Sequence, residues 1–441
     1  MSVLARTIKF GLSLTLASSL SLLTPVLAQR ATPAPAAQVL PKASPESVGM
    51  SSARLARMTT AFNKEAADKK LVGGVLMVAR KGKLVYSNAF GSLTPDGKTP
   101  MKTDSIFRIY SMTKPMASVA AMLLVEDGVL QLTDPVSKWL PAFKDVKVST
   151  GGGEVVAERV PTVQDLMRHT AGLAYGEITT NAAVKDQLAK AGVFKPGNID
   201  FDSRDMTGPE QVERLGKIPL VNQPATKWEY SLATDVLGRV VEAASGKRLG
   251  EFLDERLFKP LKMTETGFSI PETKKPRLAE PFEKDPATGT PNKLIDATKQ
   301  PGNDSGGAGG ISTAGDYLRF TQMMLNGGVL DGRRILSRST IKLMTSDHLA
   351  GVASNPQQPG LLLLGSNGYT FGLGFAVRMA DGMAGVPGSA GEYLWAGYAG
   401  TFFWVDPKEQ IVAVYMTQAP SPMRAYYRKM VKQFVYQAIV D

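Results

Sequence analysis

The chain has 441 residues, 43% of them hydrophobic, with charges of both signs dispersed along it. That composition belongs to a folded protein with a sizeable core and excludes a disordered or fibrous one. Its 51 basic and 40 acidic residues leave a formal charge of +11, but no run of Lys and Arg forms a basic arm and no stacked aromatic and basic pattern marks an RNA-binding module, so the excess reads as a solvated surface rather than a nucleic-acid site.

There are no cysteines and only two histidines, His169 and His348. Disulfides, a thiol nucleophile and Cys-built zinc sites are excluded, and the ligands for a tight transition-metal site are lacking, so neither metal nor cofactor is expected. A Ser-His-Asp triad would have to use one of the two imidazoles. No serine sits in a G-x-S-x-G elbow.

At the start of the chain, Arg6 and Lys9 precede an apolar stretch over residues 10–26 that is rich in Leu and Ser, and Val26-Leu27-Ala28 offers small side chains. This predicts a secretory signal over 1–28, cleaved after Ala28. Pro25 and the interspersed serines oppose the alternative, an N-terminal membrane anchor. An exported chain without cysteines fits a periplasm or the medium. Residues 29–45, rich in Ala and Pro, predict an extended tether, and 46–441 a folded domain. No later segment is long and apolar enough to span a membrane.

Within the domain, Ser51 or Ser52 caps a predicted helix reaching Lys69, with Leu55, Met58, Phe62 and Ala66 on one face. Runs over 74–80 and 83–90 flank Lys81-Gly82 and predict a hairpin. Residues 111–127 read as a buried helix stopped by Gly128, with Pro115 tolerated in its first turn. Residues from about 141 to 300 read as a mainly helical insertion with Gly-rich loops such as 151–153. Strands over 400–405 and 410–417 flank a turn at Asp406-Pro407. A last helix over 423–439 carries Tyr427, Met430, Val431, Phe434 and Ala438 on one stripe. Strand signals near both ends with helices between predict an α/β (α+β) fold: one antiparallel sheet built from both chain ends, flanked by helices, with a helical subdomain.

The first chemical signal is Ser111-Met112-Thr113-Lys114, an S-x-x-K at a predicted helix start. Positions i and i+3 share a helix face, so Ser111 and Lys114 can meet. A hydroxyl needs a base, and burial favours a neutral Lys114 that can accept the Ser111 proton. The helix N-terminus favours a developing oxyanion.

The segment Phe107-Arg108-Ile109-Tyr110-Ser111-Met112-Thr113-Lys114-Pro115 resembles the active-site segment of class C β-lactamases and the carboxylesterases related to them. Leu166-Met167-Arg168-His169-Thr170-Ala171-Gly172-Leu173 resembles their Leu-Leu-x-His-Thr-Ser-Gly-Leu segment. The stretches from Leu257 to Phe268 and from Gly306 to Thr313 resemble two more, all in the family's order. The resemblance covers residues 45 to 440 and implies the β-lactamase/transpeptidase-like fold.

It also implies roles. Tyr230-Ser231-Leu232 matches the family's Tyr-x-Asn, so Tyr230 is expected beside Ser111 and Lys114, sharing the proton and passing it to the leaving group. Leu232 departs from the Asn, which puts β-lactam turnover in doubt more than ester cleavage. Trp395-Ala396-Gly397-Tyr398 matches the strand that carries Lys-Thr-Gly or His-Thr-Gly, and resembles the Trp-Gly-Gly of the esterases. The N–H groups of Ser111 and Tyr398 are expected to form the oxyanion hole, with Gly397 allowing close approach and Trp395 offering an apolar wall in place of a cation. His169 is read as a structural residue, and His348 takes no role.

The reading is an exported serine hydrolase acting on small-molecule esters through an acyl-enzyme on Ser111. A β-lactamase or D-amino-acid peptidase, acting on an amide, is the rival, weakened by the lack of a cation at position 395. An inactive relative that binds cell-wall fragments is opposed by the intact Ser111, Lys114 and Tyr230.

Overall fold

The computed structural model describes residues 39–195, 203–352 and 358–441. The signal over 1–28 and most of the Ala/Pro-rich tether lie outside them.

Helix α1, Ser52–Ala67, begins where the Ser51 hydroxyl accepts the Arg54 N–H at 3.3 Å, and it buries Leu55, Met58 and Phe62. Strands β1, Gly73–Arg80, and β2, Lys83–Gly91, meet at Lys81 and Gly82, both with positive φ (51° and 74°). That is the left-handed pair a two-residue hairpin needs to match strand twist. A short strand, Ile106–Arg108, pairs with Ile311–Thr313. Helix α2, Thr113–Glu126, is apolar all round and buried at every position from Thr113 to Leu124. It packs against α3, Ala233–Ser245, and with the short helices Val163–Met167, Ala182–Lys190 and Gly208–Leu215 these make the helical part.

Helix α4, Ala314–Leu325, is capped by Thr313. The chain then lays down β3, Tyr369–Phe371; β4, Ala376–Arg378; β5, Tyr393–Ala396; β6, Phe402–Asp406; and β7, Ile411–Thr417. Helix α5, Arg424–Tyr436, follows.

The seven strands form one sheet in the order β2-β1-β7-β6-β5-β4-β3, with every pairing antiparallel. Strand β1 sits between β2 and β7, with Met77 opposite Val414, so both chain ends build the sheet. Side chains alternate across a strand, and this assigns the layers. Tyr415, opposite Phe402, meets Phe62 of α1 at 5.4 Å, and Trp404 stacks on Tyr436 of α5. Phe403, on the other face, meets Tyr317 of α4 at 5.1 Å. Helices α1 and α5 therefore cover one face and α4 the other.

Three expectations are corrected. The α-helix expected from Ser111 starts at Thr113, after a 3-10 turn over Tyr110–Met112. The glycines at 151–153 belong to an exposed hairpin, Lys147–Thr150 with Gly153–Val156. The insertion expected over 141–300 is mainly helical only to Phe258; beyond it a single 3-10 helix, Glu272–Arg277, forms among prolines at 260, 271, 281, 286 and 291, each of which lacks an N–H and disfavours a helical turn before it. Among the described residues no helix is long and apolar enough to cross a membrane.

Candidate active site

The chain enters the site through a strained corner. Tyr110 has φ +45°, a left-handed conformation that costs a bulky residue about 1–3 kcal/mol. Neighbours hold it there. Its carbonyl accepts from Thr113 Oγ1 at 2.6 Å, its hydroxyl accepts the Ile295 N–H at 3.0 Å, and its ring packs edge-on against Tyr398 at 5.5 Å. The corner presents Ser111 at the mouth of α2, with Lys114 one turn behind.

Lys114 is 1% exposed. Its Nζ donates to Ser111 Oγ at 3.1 Å, to Tyr175 Oη at 3.0 Å and to the Gly307 carbonyl at 2.8 Å. The Tyr230 hydroxyl donates to Ser111 Oγ at 2.6 Å. Lys114 also lies over the rings of Tyr230 and Tyr175, at 4.7 and 5.3 Å from their centroids, where a cation meets the negative face of each ring. The structure thus brings Ser111, Lys114 and Tyr230 together, and adds Tyr175, which the sequence reading missed.

Gly307 is held in turn by Asp235, which accepts the Gly307 N–H at 3.2 Å and the Ser305 hydroxyl at 2.5 Å. Gly310 closes the cradle, donating to Thr113 Oγ1 and accepting the Ile109 N–H, both at 2.9 Å.

A model of the beta-lactamase family matches residues 55–436. This chain belongs to the beta-lactamase family. It is 31% identical over 372 residues to esterase EstB of Burkholderia gladioli, covering 80% of this chain and 87% of that one. It is 28% identical over 396 residues to lovastatin esterase of Penicillium rubens, covering 83% and 93%. Among solved structures it is similar to EstCE1, a hydrolase with promiscuous acyltransferase activity, at TM-score 0.72 and 28% identity over 87% of this chain and 99% of that one. The chain is a hydrolase of this family.

The family's Tyr-x-Asn carries Leu232 here, buried at 6% exposure, which has no amide to offer Lys114. Tyr175 supplies a contact to the ammonium instead. Burial, and then the neighbouring Tyr230, Asp235 and Glu177, push the Tyr175 phenol well above its ordinary range, so it stays a neutral hydroxyl. His169 is buried, its Nδ1 lies 3.3 Å from Ser231 Oγ, and its ring packs edge-on against Tyr230 at 5.1 Å. Burial and then the charge of Lys114 push it well below the usual imidazole range. It backs Tyr230. His348 joins Gln164 and the Leu343 carbonyl.

Ser111, Tyr175 and Tyr230 open into a cavity of about 250 Å³ shared with Ala396, Gly397 and Tyr398. Trp395 is absent from its lining. Alternation along β5 turns Trp395 to the opposite face from Ala396, where it is fully buried against Tyr230 and Phe371, at 5.4 and 5.2 Å. The apolar wall expected of Trp395 comes from Ile178, Leu362 and Leu363. Gly397, which lines the cavity, has a further reason beside the one expected. A Cβ there would lie 2.4 Å from the Ile109 carbonyl oxygen and 2.1 Å from Thr401 Oγ1, so the glycine lets β5 approach the Ser111 corner itself.

Position 395 carries no cation, as expected, but cations reach the cavity from another element. Arg424 and Arg428 of α5 line the cavity. Among the described residues no group of His, Asp and Glu is placed to hold a metal ion.

Proposed function

We propose that this chain is an exported serine esterase that cleaves small carboxylic esters through an acyl-enzyme on Ser111. One observation carries the reading: Ser111 Oγ sits at the cavity between a phenol at 2.6 Å and an amine at 3.1 Å. In its free-amine form Lys114 takes the Ser111 proton as Oγ attacks the ester carbonyl carbon. The carbonyl oxygen becomes an oxyanion, directed to the N–H groups of Ser111 and Tyr398. Collapse breaks the ester bond, and Tyr230 donates a proton to the departing alkoxide and is reprotonated through Lys114. Water then attacks the acyl carbonyl, gives up a proton along the same path, and releases the acid with Ser111 restored.

EstB and lovastatin esterase, named as esterases, support ester hydrolysis, and EstCE1 supports it at the level of the fold and the residues shared. Arg424 and Arg428 favour keeping a second reading, a β-lactam or D-amino-acid peptide, because they restore a cation. Leu232 opposes it, since no side-chain amide is present to bind a substrate amide.

Ser111→Ala is expected to abolish hydrolysis of a 4-nitrophenyl acylate while the protein keeps its fold by circular dichroism. Turnover near the wild-type rate would refute the assignment. The wild-type kcat/KM for that ester is expected to exceed that for a chromogenic cephalosporin. Export is tested by fractionation and by sequencing the mature N-terminus, expected at Gln29.

A further inference from the structure

Arg424 and Arg428 stand one turn apart on α5, both in the lining of the Ser111 cavity. Among the described residues neither forms an ion pair with a carboxylate. Arg428 gives Nη1 to the Leu363 carbonyl at 3.1 Å and Nη2 to the Gly397 carbonyl at 2.8 Å, and Arg424 gives Nη1 to the Tyr398 carbonyl at 2.6 Å. Arg428 is 4% exposed, and its Nε–H finds no hydrogen-bond partner among the described residues.

Among the described residues no Asp or Glu lines the cavity. The acid that acts on Arg424, Asp285, is already engaged by the N–H groups of Ala287 and Thr288. Burial pushes both guanidinium groups below their usual range, and the repulsion of Arg424 adds to it at Arg428. A buried cation beside a half-buried one, with no carboxylate paired to either among the described residues, is costly unless an anion joins them. The guanidinium fork matches a carboxylate in charge and shape.

We propose that Arg424 and Arg428 form an anion subsite and that the ester cleaved at Ser111 carries a carboxylate. The substrate part of this rests on the esterase reading above. The carboxylate sits on the acyl side, as in a dicarboxylic hemiester, or on the alcohol side, as in an acylated hydroxy acid.

Two matched pairs of substrates separate these sources: 4-nitrophenyl hemiadipate against 4-nitrophenyl hexanoate, and 4-butyryloxybenzoate against its methyl ester. In one pair the wild type is expected to favour the anion in kcat/KM by roughly ten- to a hundredfold, the range of a charge-assisted hydrogen bond. The preference is expected to shrink with salt and to collapse in both Arg424→Gln and Arg428→Gln. Each variant is scored by its own anion-to-neutral ratio, so a general loss of rate divides out.

Binding is read apart from turnover, by calorimetry on Ser111→Ala with 4-phenylbutyrate and 4-phenylbutanol. The carboxylate is expected to bind more tightly, and Ser111→Ala with Arg424→Gln to lose the difference. Neutral preference in both pairs, or a ratio unchanged by both arginine variants, overturns the subsite while leaving the esterase reading intact. No ester turnover, with arginine-dependent carboxylate binding retained, overturns the esterase reading and keeps the subsite.

Discussion

Lys114 places its hydrogen bonds on Ser111, Tyr175 and Gly307, and the two phenols around it have different work. Tyr230 reaches Ser111 Oγ directly, so it handles the proton. Tyr175 accepts from the amine, so it positions. Tyr230→Phe is expected to lower kcat by about 10²–10⁴-fold, the usual contribution of a general acid or base. Tyr175→Phe is expected to cost about tenfold, one hydrogen bond to a charged group, and to shift the pH profile of kcat/KM; the reverse ordering would exchange the two roles. Close by, burial raises the Glu177 carboxyl to about 7 from an ordinary value of 4.5. Its folded form holds the proton more tightly than the unfolded chain does. The stability it contributes is therefore present below about pH 4.5 and is lost as the pH rises through about 7. Glu177→Gln is expected to flatten that part of the stability profile, measured by urea unfolding at a series of pH values.

The end of β5 and the turn before α2 are locked together at Gly397. Because the Ile109 carbonyl 2.4 Å from its missing Cβ is backbone and cannot swing aside, Gly397→Ala is expected to cost about 1–3 kcal/mol as overpacking. It is also expected to lower kcat, since the displaced backbone leads into Ser111. Chemical unfolding and ester kinetics check the two effects. The elements that sequence reveals are those with a local grammar. Lys81-Gly82 dictates a hairpin, Ser51 caps a helix, and S-x-x-K predicts its own i,i+3 contact. Tyr175 has no such grammar: its partner is 61 residues away, and the segment around it has no helical or strand period. Trp395 was legible as a strand residue, but which face of β5 meets the cavity depends on how the sheet is assembled. Arg424 and Arg428 sit beside the Tyr427 and Val431 stripe and read as the solvated side of an amphipathic helix. Strands β3 and β4, three residues each, are too short to show alternation.

Across the whole molecule, one buried network ties the far half of the sheet to α5. Glu392 and Lys432, both fully buried, pair at 2.8 Å. Tyr369 of β3 and Tyr436 of α5 donate to Glu392, Arg378 of β4 lies 3.5 Å from it, and Tyr436 reaches Asp406 of β6. Lys432→Met strands Glu392 and is expected to destabilise by about 3 kcal/mol, the lower end of the range for breaking a buried pair because Arg378 remains. The double variant with Glu392→Leu is expected to recover part of this in urea unfolding, since the stranded carboxylate goes with the amine; recovery is partial because Arg378 loses its acid and is left with the Ala380 and Val386 carbonyls. The sheet order also sets a timetable. Strand β1 is made on the ribosome long before its neighbour β7. Until β7 has emerged, β1 has only β2 beside it, and a lone two-stranded hairpin is marginal in water. The nascent chain therefore has no complete sheet to fold onto until β7 is made, and a copy stopped before β7 is left with a hydrophobic hairpin, an unpaired inner edge, and a Ser111 corner whose sheet is incomplete.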